Sequence, residues 1–439
     1  MTARSALIPE TLKSTSNTIA TLGFLLYSVY TLSGFANDWS LHIFGVKAYL
    51  STVTLVLLPL AWLFSGHALR GLRSAAGLCW VGFLLWMILA TPLSVWKGGS
   101  VAALANYVPR AYMDFFYTCS FLTSLRRCRQ WMFVQIASGA ALLLSCFAFG
   151  ATGDTPDDAR FRIPDSLFYA NSNDLALALL LGISSFLFLF SRRSRLGRMA
   201  GVTGILFSTF YAFRTGSRGC VVAASVLMLL IFLLSQRRGT VAVLAMATLG
   251  IALAAEPAIT LHRLSLFSSE PSSIAATIED DASLASGQQR EQLLKTSLKY
   301  TLRHPVFGVG PDQFATAISQ DAERAGEHAQ WLGTHNTYTQ ISSECGIPAL
   351  VFYAAVIGIC LRSNLRLYLR ARNHPIYAEI AGLSRCLLAG TVLFAVSAFF
   401  FHMAYSACLP TLAGFTMALQ FAVAPRGKSL RTFATVTDD

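Results

Sequence analysis

Two arginines four residues apart flank a glycine in the run Arg214-Thr-Gly-Ser-Arg218-Gly219. Planar guanidinium forks match the oxygens of phosphate and diphosphate. A third arginine, Arg290, precedes His304-Pro-Val-Phe-Gly308-Val-Gly310-Pro-Asp-Gln-Phe314. The glycines and prolines of that run make turns that let backbone approach a ligand. Thr334-His335-Asn336-Thr337-Tyr338 then opens a long apolar segment holding Glu344 and Gly346. An imidazole beside hydrogen-bonding groups can act as a base near neutral pH. Cations for an anionic group and a base form one working set: Arg218, Arg290 and His335 as the reacting centre, with Arg214, His304, Asn336 and Tyr338 around it. Arg110 is a further candidate; it lies i,i+4 from Asp114, so the two can simply pair. Asn171-Ser-Asn-Asp174 and His402 are the remaining isolated polar groups. Each has a plainer reading: interfacial arginines that snorkel, a solvated loop, a structural histidine.

Metal and nucleotide chemistry find little support. No D-x-D occurs, and Asp321-Ala-Glu323 sits in a charged stretch that reads as solvated. There is no GxxxxGK[ST], and no GxGxxG follows a strand. The nine cysteines form no CxxC pair, which gives neither a disulfide framework nor a zinc site. No metal and no cofactor are expected, and the substrate must arrive already activated.

The elements that hold these residues follow from composition. Hydrophobic residues make up 54% of the 439 and charged residues 13%, about half the charge of a soluble domain. An ordinary cytosolic enzyme, a disordered chain and a coiled coil are excluded. A span needs roughly 20 apolar residues, and the pattern predicts about twelve: 17–35, 44–64, 76–95, 104–124, 131–151, 173–191, 199–213, 219–236, 239–255, 337–361, 379–401 and 405–424. The seventh is short and the fourth carries Arg110 and Asp114. The first has no A-x-A site after it and reads as an uncleaved span. No internal repeat is evident.

Charge gives the orientation. Alternate links carry Arg4/Lys13, Arg70/Arg73, Arg126/Arg127/Arg129, Arg192 to Arg198, Arg237/Arg238, Arg362 to Arg372 and Arg426 to Arg431, which is 20 of the 34 basic residues. The positive-inside rule puts these links, and both termini, in the cytoplasm. Most carboxylates fall on the opposite side, with the only long link. The expected organisation is 1–255 with spans one to nine, 256–336 as a long outer loop, and 337–439 with spans ten to twelve and a short tail. Within the loop, residues 287–303 place Leu293, Leu294, Leu298, Tyr300 and Leu302 mostly on one face, an amphipathic helix against the membrane or the bundle.

About twelve spans, a long outer loop before the tenth, an Arg in the turn Thr215-Gly-Ser-Arg218-Gly219, Arg290 upstream of the H-P-x-x-G-x-G run, and Thr334-His335-Asn336 at the next span together resemble the O-antigen ligase and polymerase superfamily. The resemblance is strongest over 165–350 and lies in spaced motifs. It implies an all-α, GT-C-type, metal-independent glycosyltransferase of the bacterial inner membrane with its site facing the periplasm. The donor would be an undecaprenyl-diphosphate-linked O-antigen. The acceptor would be a lipid A-core sugar. The family's essential histidine looks like His335 and its two arginines like Arg218 and Arg290; Arg214 and Arg110 fall on no family position that can be assigned. Membrane lipid is the other expected partner, nucleic acid is not one, and a monomer is expected. The chain length favours the ligase over the protein-glycosylating branch. An O-antigen polymerase shares donor and chemistry, whereas a transporter would need more intramembrane charge and broken, repeated halves. A membrane scaffold would need no paired arginines and histidine on one face.

Overall fold

A computed structural model describes residues 10–46, 49–152, 160–166, 168–192, 194–235, 274–328 and 331–424, with isolated positions between 239 and 250. Side chains are described from Thr18 in the first helix and from Gln289 in the helix ending at Arg303. The helices are α1 (Glu10–Phe44), α2 (Leu50–Phe64), α3 (Ala75–Ala90), α4 (Lys97–Tyr107), α5 (Asp114–Phe121), α6 (Leu125–Phe149), α7 (Ser172–Phe190), α8 (Arg195–Arg214), α9 (Arg218–Leu234), α10 (Ile274–Arg303), α11 (Phe314–Arg324), α12 (Thr337–Ala371), α13 (Ala378–Ser397) and α14 (Cys408–Val423). Extended pairing among the described residues is one antiparallel bridge, Ala151 with Arg162.

Six of these segments are long and apolar enough to cross a bilayer: Thr18–Phe44, Ala75–Leu93, Leu125–Phe149, Ser172–Phe190, Thr337–Ala371 and Pro375–Ser397. Leu50–Phe64, Arg218–Leu234 and Cys408–Val423 are apolar but shorter. The chain is therefore an all-helical polytopic membrane protein. The span expected at 239–255 lies, apart from isolated positions, outside the described residues.

Two expected spans take different forms. The segment 104–124 is not one helix. Pro109 has no amide hydrogen to give, and Val108–Tyr112 widens into a π turn closed by Met113 N–H to the Val108 carbonyl at 3.1 Å. Among the described residues no ion pair joins Arg110 and Asp114, although both line one cavity. The short segment 199–213 is a full helix, Arg195–Arg214, because Ser194 caps it by accepting from Gly197 N–H at 3.0 Å.

Lipid tails are as apolar as leucine, so helix pairing inside the bilayer depends on close fit. Glycine supplies it where α6 crosses α7: a Cβ on Gly139 would lie 3.8 Å from Gly182 Cα. Trp131 of α6 is fully buried and stacks on Tyr27 of α1 at 4.5 Å. The basic end of the bundle is tied by Arg70 to the Cys119 and Leu122 carbonyls, 3.0 Å each, and by Arg129 to Glu379 at 3.3 Å.

The other end carries the candidate residues, because the starts of α7, α9 and α12, the end of α8 and the α13–α14 link all lie there. Its key device is a break in α12. Gly346 has φ +85° and ψ 172°, and Pro348 follows. The proline cannot bond the Glu344 carbonyl, so the carbonyls before the break are left for other donors. The chain after α10 takes them: Val309 N–H bonds Ser343 O at 2.9 Å and Gly310 N–H bonds Glu344 O at 2.8 Å, while Ile347 N–H bonds Pro305 O at 2.8 Å. A Cβ on Gly346 would sit 2.0 Å from Val306 O, and one on Gly308 2.3 Å from the Glu344 carbonyl carbon. The G-x-G of the 304–314 run is thus explained by this docking.

Gly346→Ala should lose roughly 1–2 kcal/mol to left-handed strain and more to the clash with Val306. The check is thermal unfolding of the purified protein in detergent, where an unchanged melting temperature would refute the docking.

Candidate active site

At this end lies a cavity of about 350 Å3, lined by Asn171, Asn173, Asp174, Asp312, Ala315, Gly333, His335, Glu344, Phe401 and His402. His335 stands on a left-handed corner, φ +50°, which a non-glycine residue holds only if its surroundings force it. They do. Asn336 caps α12, its Oδ1 accepting from Tyr338 N–H at 3.0 Å and Thr339 N–H at 3.1 Å. Thr337 N–H donates to Ala398 O at 2.7 Å and Thr337 Oγ1 to Phe401 O at 2.7 Å.

Electrostatics join the three residues picked out as the reacting centre. The Arg290 guanidinium, part-buried on α10, has its pKa lowered by burial and by the charge of Arg218. His335 has its pKa lowered by burial and by the charge of Arg290. Both causes favour a neutral imidazole. Arg218 begins α9, whose helix dipole favours an anion at this end. Gly219 lets this end approach closely; a Cβ there would lie 2.6 Å from Phe400.

His402 is wired in from the α13–α14 link. Gln340 Oε1 accepts from Ala404 N–H at 3.1 Å, which orients the amide. Gln340 Nε2 can then only donate, to His402 Nε2 at 2.9 Å. His402 Nδ1 therefore carries the proton and donates to Thr334 Oγ1 at 3.2 Å. Thr334 passes its own proton to Asn336 O at 3.0 Å. His402 is exposed to the cavity, and both ring nitrogens are hydrogen-bonded. Burial and the neighbouring His335 push its pKa from 6.5 down to about 4.

Asp312, Glu344 and His402 bring three donor atoms within 4.8 Å of one another, a spacing that could hold a cation. Two of the three, Glu344 and His402, are already engaged. Glu344 Oε2 accepts from Tyr405 OH at 2.6 Å and Asp312 N–H at 3.1 Å, and both His402 nitrogens are bonded as above. The group is a hydrogen-bond network. Asp312, left-handed at φ +60°, has its pKa raised by burial.

The other candidates have different neighbours. Arg214 stacks its guanidinium on Phe161 at 5.0 Å and Phe210 at 5.9 Å, a cation–π anchor. Arg110 lines a second cavity of about 420 Å3 within the bundle, with Asp114 and Tyr30. His304 is exposed at the end of α10, where its carbonyl accepts from Gly308 N–H at 3.0 Å. Tyr338 OH donates to Ala395 O at 2.7 Å. The amphipathic helix is present, but its apolar residues divide: Leu293 and Tyr300 are buried, while Leu294, Leu298 and Leu302 are exposed. The buried side includes Ser297 and Thr301, and Thr301 Oγ1 meets Ser342 Oγ of α12 at 2.8 Å.

Arg160 was invisible to sequence reasoning. Its Nε donates to Thr215 O at 2.9 Å and its Nη2 to Asn173 Oδ1 at 2.7 Å, tying the 214–219 turn to the start of α7. Asp312 and Tyr405 also escaped notice as site residues. Asp312's place after Gly310-Pro311 was the available signal.

A polytopic helical bundle with a cation–imidazole site at one end defines the class as a membrane protein. Residues 203–354 match the sequence profile of a family described as O-antigen ligase. The matched stretch is about a third of the chain and contains Arg218, Arg290 and His335. No curated protein matches the chain.

The depressed pKa of His402 has a sign. Between about 4 and 6.5 the unfolded chain binds a proton that the folded chain does not, so stability falls as pH drops through that window. The wild-type melting temperature should decline there, and His402→Gln should decline less. Parallel slopes for the two proteins would contradict the wiring.

Proposed function

We propose that the protein is an O-antigen ligase that transfers O-antigen glycan from undecaprenyl diphosphate to a lipid A-core sugar hydroxyl at the periplasmic face of the inner membrane. The observation that carries this is that His335 lines the cavity under the charge of Arg290, itself under the charge of Arg218, all within the matched stretch. A sugar on diphosphate is already activated, so the chemistry needs no nucleotide.

Arg218 and Arg290 bind the diphosphate and stabilise the charge that develops on its bridging oxygen. The dipole of α9 adds to that field. The acceptor hydroxyl gives its proton to His335 and its oxygen attacks the anomeric carbon as the bond to the diphosphate breaks. The electron pair leaves with undecaprenyl diphosphate. One displacement inverts the anomeric centre. The lowered pKa of His335 serves this role, because only the neutral ring takes a proton. Both substrates are lipid-anchored, and confinement in the membrane plane brings them together.

The test is transfer in vitro by full-length protein in detergent, with undecaprenyl-diphosphate-linked glycan, lipid A-core and EDTA. His335→Ala should lose about 100-fold or more in rate, and Arg290→Ala about 100-fold or more. Arg218→Lys should also be impaired, since a point charge replaces a fork. Near-normal transfer by His335→Ala would remove it as the base. Longer carrier-linked glycan in place of a lipopolysaccharide ladder would make the protein a polymerase.

The pH profile gives a second check. Because burial and Arg290 hold the His335 pKa below 6.5, the midpoint of the acid-side decline in wild-type kcat/KM should fall below pH 6.5. A midpoint above that value would mean the base is not this imidazole.

A further inference from the structure

The Arg290 guanidinium bears on His335 by its charge, and Arg218 in turn on Arg290; neither lines the cavity, whose rim Arg160 reaches through Asn173 Oδ1. The cavity wall carries Asp174, Asp312 and Glu344 together with the carboxamides of Asn171 and Asn173. The same wall includes His335, so the imidazole stands between a cationic side and an acidic one.

A diphosphate and this cavity repel each other. Carboxylates are acceptor-only groups that bond best to neutral donors such as hydroxyls, and carboxamides both give and accept. The volume, about 350 Å3, falls in the range of small-molecule sites. Asp312 is built into place: its amide donates to Glu344 Oε2 at 3.1 Å and to Tyr405 OH at 3.2 Å. Glu344 is itself 1% exposed and held by Tyr405 OH at 2.6 Å. The Asp312 backbone is thus fixed from two directions, which orders the residue before any ligand enters.

We propose that this cavity is the acceptor subsite: Asp312, with Asp174 and the Asn171/Asn173 carboxamides, holds the hydroxyls of a neutral, unphosphorylated acceptor sugar and aims one of them at His335. The assignment rests on the glycosyl-transfer reading above and adds which substrate occupies which side. Donor diphosphate lies toward the arginines and the acceptor ring lies toward the carboxylates. In the transfer step the aimed hydroxyl loses its proton to His335 and its oxygen bonds the anomeric carbon. The carbon–oxygen bond to diphosphate breaks, and the pair departs with the carrier. A phosphate on the acceptor ring would be rejected by Asp312 and Asp174.

The test uses full-length wild type, Asp312→Asn and Asp174→Asn in detergent. Lipid A-core is titrated at saturating undecaprenyl-diphosphate-linked glycan, then the glycan donor at saturating lipid A-core. Losing a charged hydrogen-bond partner should raise the acceptor KM about tenfold or more in Asp312→Asn, with the donor KM within about twofold of wild type. An unchanged acceptor KM, or a rise confined to the donor KM, would overturn the subsite. Should Asp312→Asn elute aggregated on size exclusion, Asp174→Asn carries the same expectation and the same refutation. Wild type that extends the carrier-linked glycan but never modifies lipid A-core would overturn the ligase reading, and with it the identity of this acceptor. In that case the same KM split, measured with carrier-linked glycan as acceptor, still decides the role of the cavity.

Discussion

A helix that enters a bilayer must satisfy its own carbonyls, and α12 does not do so alone. Its break at Gly346, followed by Pro348, leaves the Ser343 and Glu344 carbonyls to Val309 and Gly310. This pairing is the constraint on which the candidate site depends. It fixes the chain after α10 against the first turns of α12. That sets Asp312 over Glu344, and it holds α10 close enough for Arg290 to influence His335. The first turns of α12 are polar for the same reason. Thr337, Gln340, Ser342, Ser343 and Glu344 are all buried, and each bonds the docked loop, α10, the α13–α14 link or its own turn.

The basic end of the bundle is held differently. Arg70 and Arg129 reach carbonyls and a carboxylate, and serine caps start α3, α6 and α8. The caps are local, whereas Arg129 and Glu379 are 250 positions apart. The opposite end is held by residues far apart in sequence: Trp86 Nε1 donates to Val306 O at 2.9 Å, Ser100 Oγ to Pro311 O at 3.0 Å, and Arg160 bridges two turns. Long-range fastening suits a site that must keep its geometry while lipid-borne substrates come and go.

Apolar periodicity is local, so several helix starts were legible: α12 begins at Thr337 and α13 at Ala378, against expected starts of 337 and 379, while α1 runs to Phe44 against an expected end of 35 and α12 to Ala371 against 361. Arg218, Arg290 and His335 stood out because arginines and a histidine are conspicuous in so apolar a chain. Their neighbours were less so. Asn336 and Tyr338, read as ligand contacts, are occupied with a helix cap and with Ala395. Arg214 rests on two phenylalanines, one of them 53 positions earlier in the chain, a partner no spacing rule could supply. The π turn at Arg110 needed Pro109 to be weighed against helix continuity, and apolar pattern alone favoured one unbroken span. Arg160 looked like an ordinary loop cation.

Strain tells the same story from the energetic side. Asp165, Asp312 and His335 are the non-glycine residues with positive φ among the described positions, and the latter two line one cavity. Each such residue costs on the order of 1–3 kcal/mol. A bundle with no use for that geometry would place glycine there at less cost, as it does at Gly308, Gly310 and Gly346. At Asp312 and His335 a side chain is retained despite the strain, and caps and backbone bonds on both sides hold it. Two strained side chains, one anionic and one a base, fixed across the same small space, are what a site needs if a hydroxyl is to be oriented by one and deprotonated by the other.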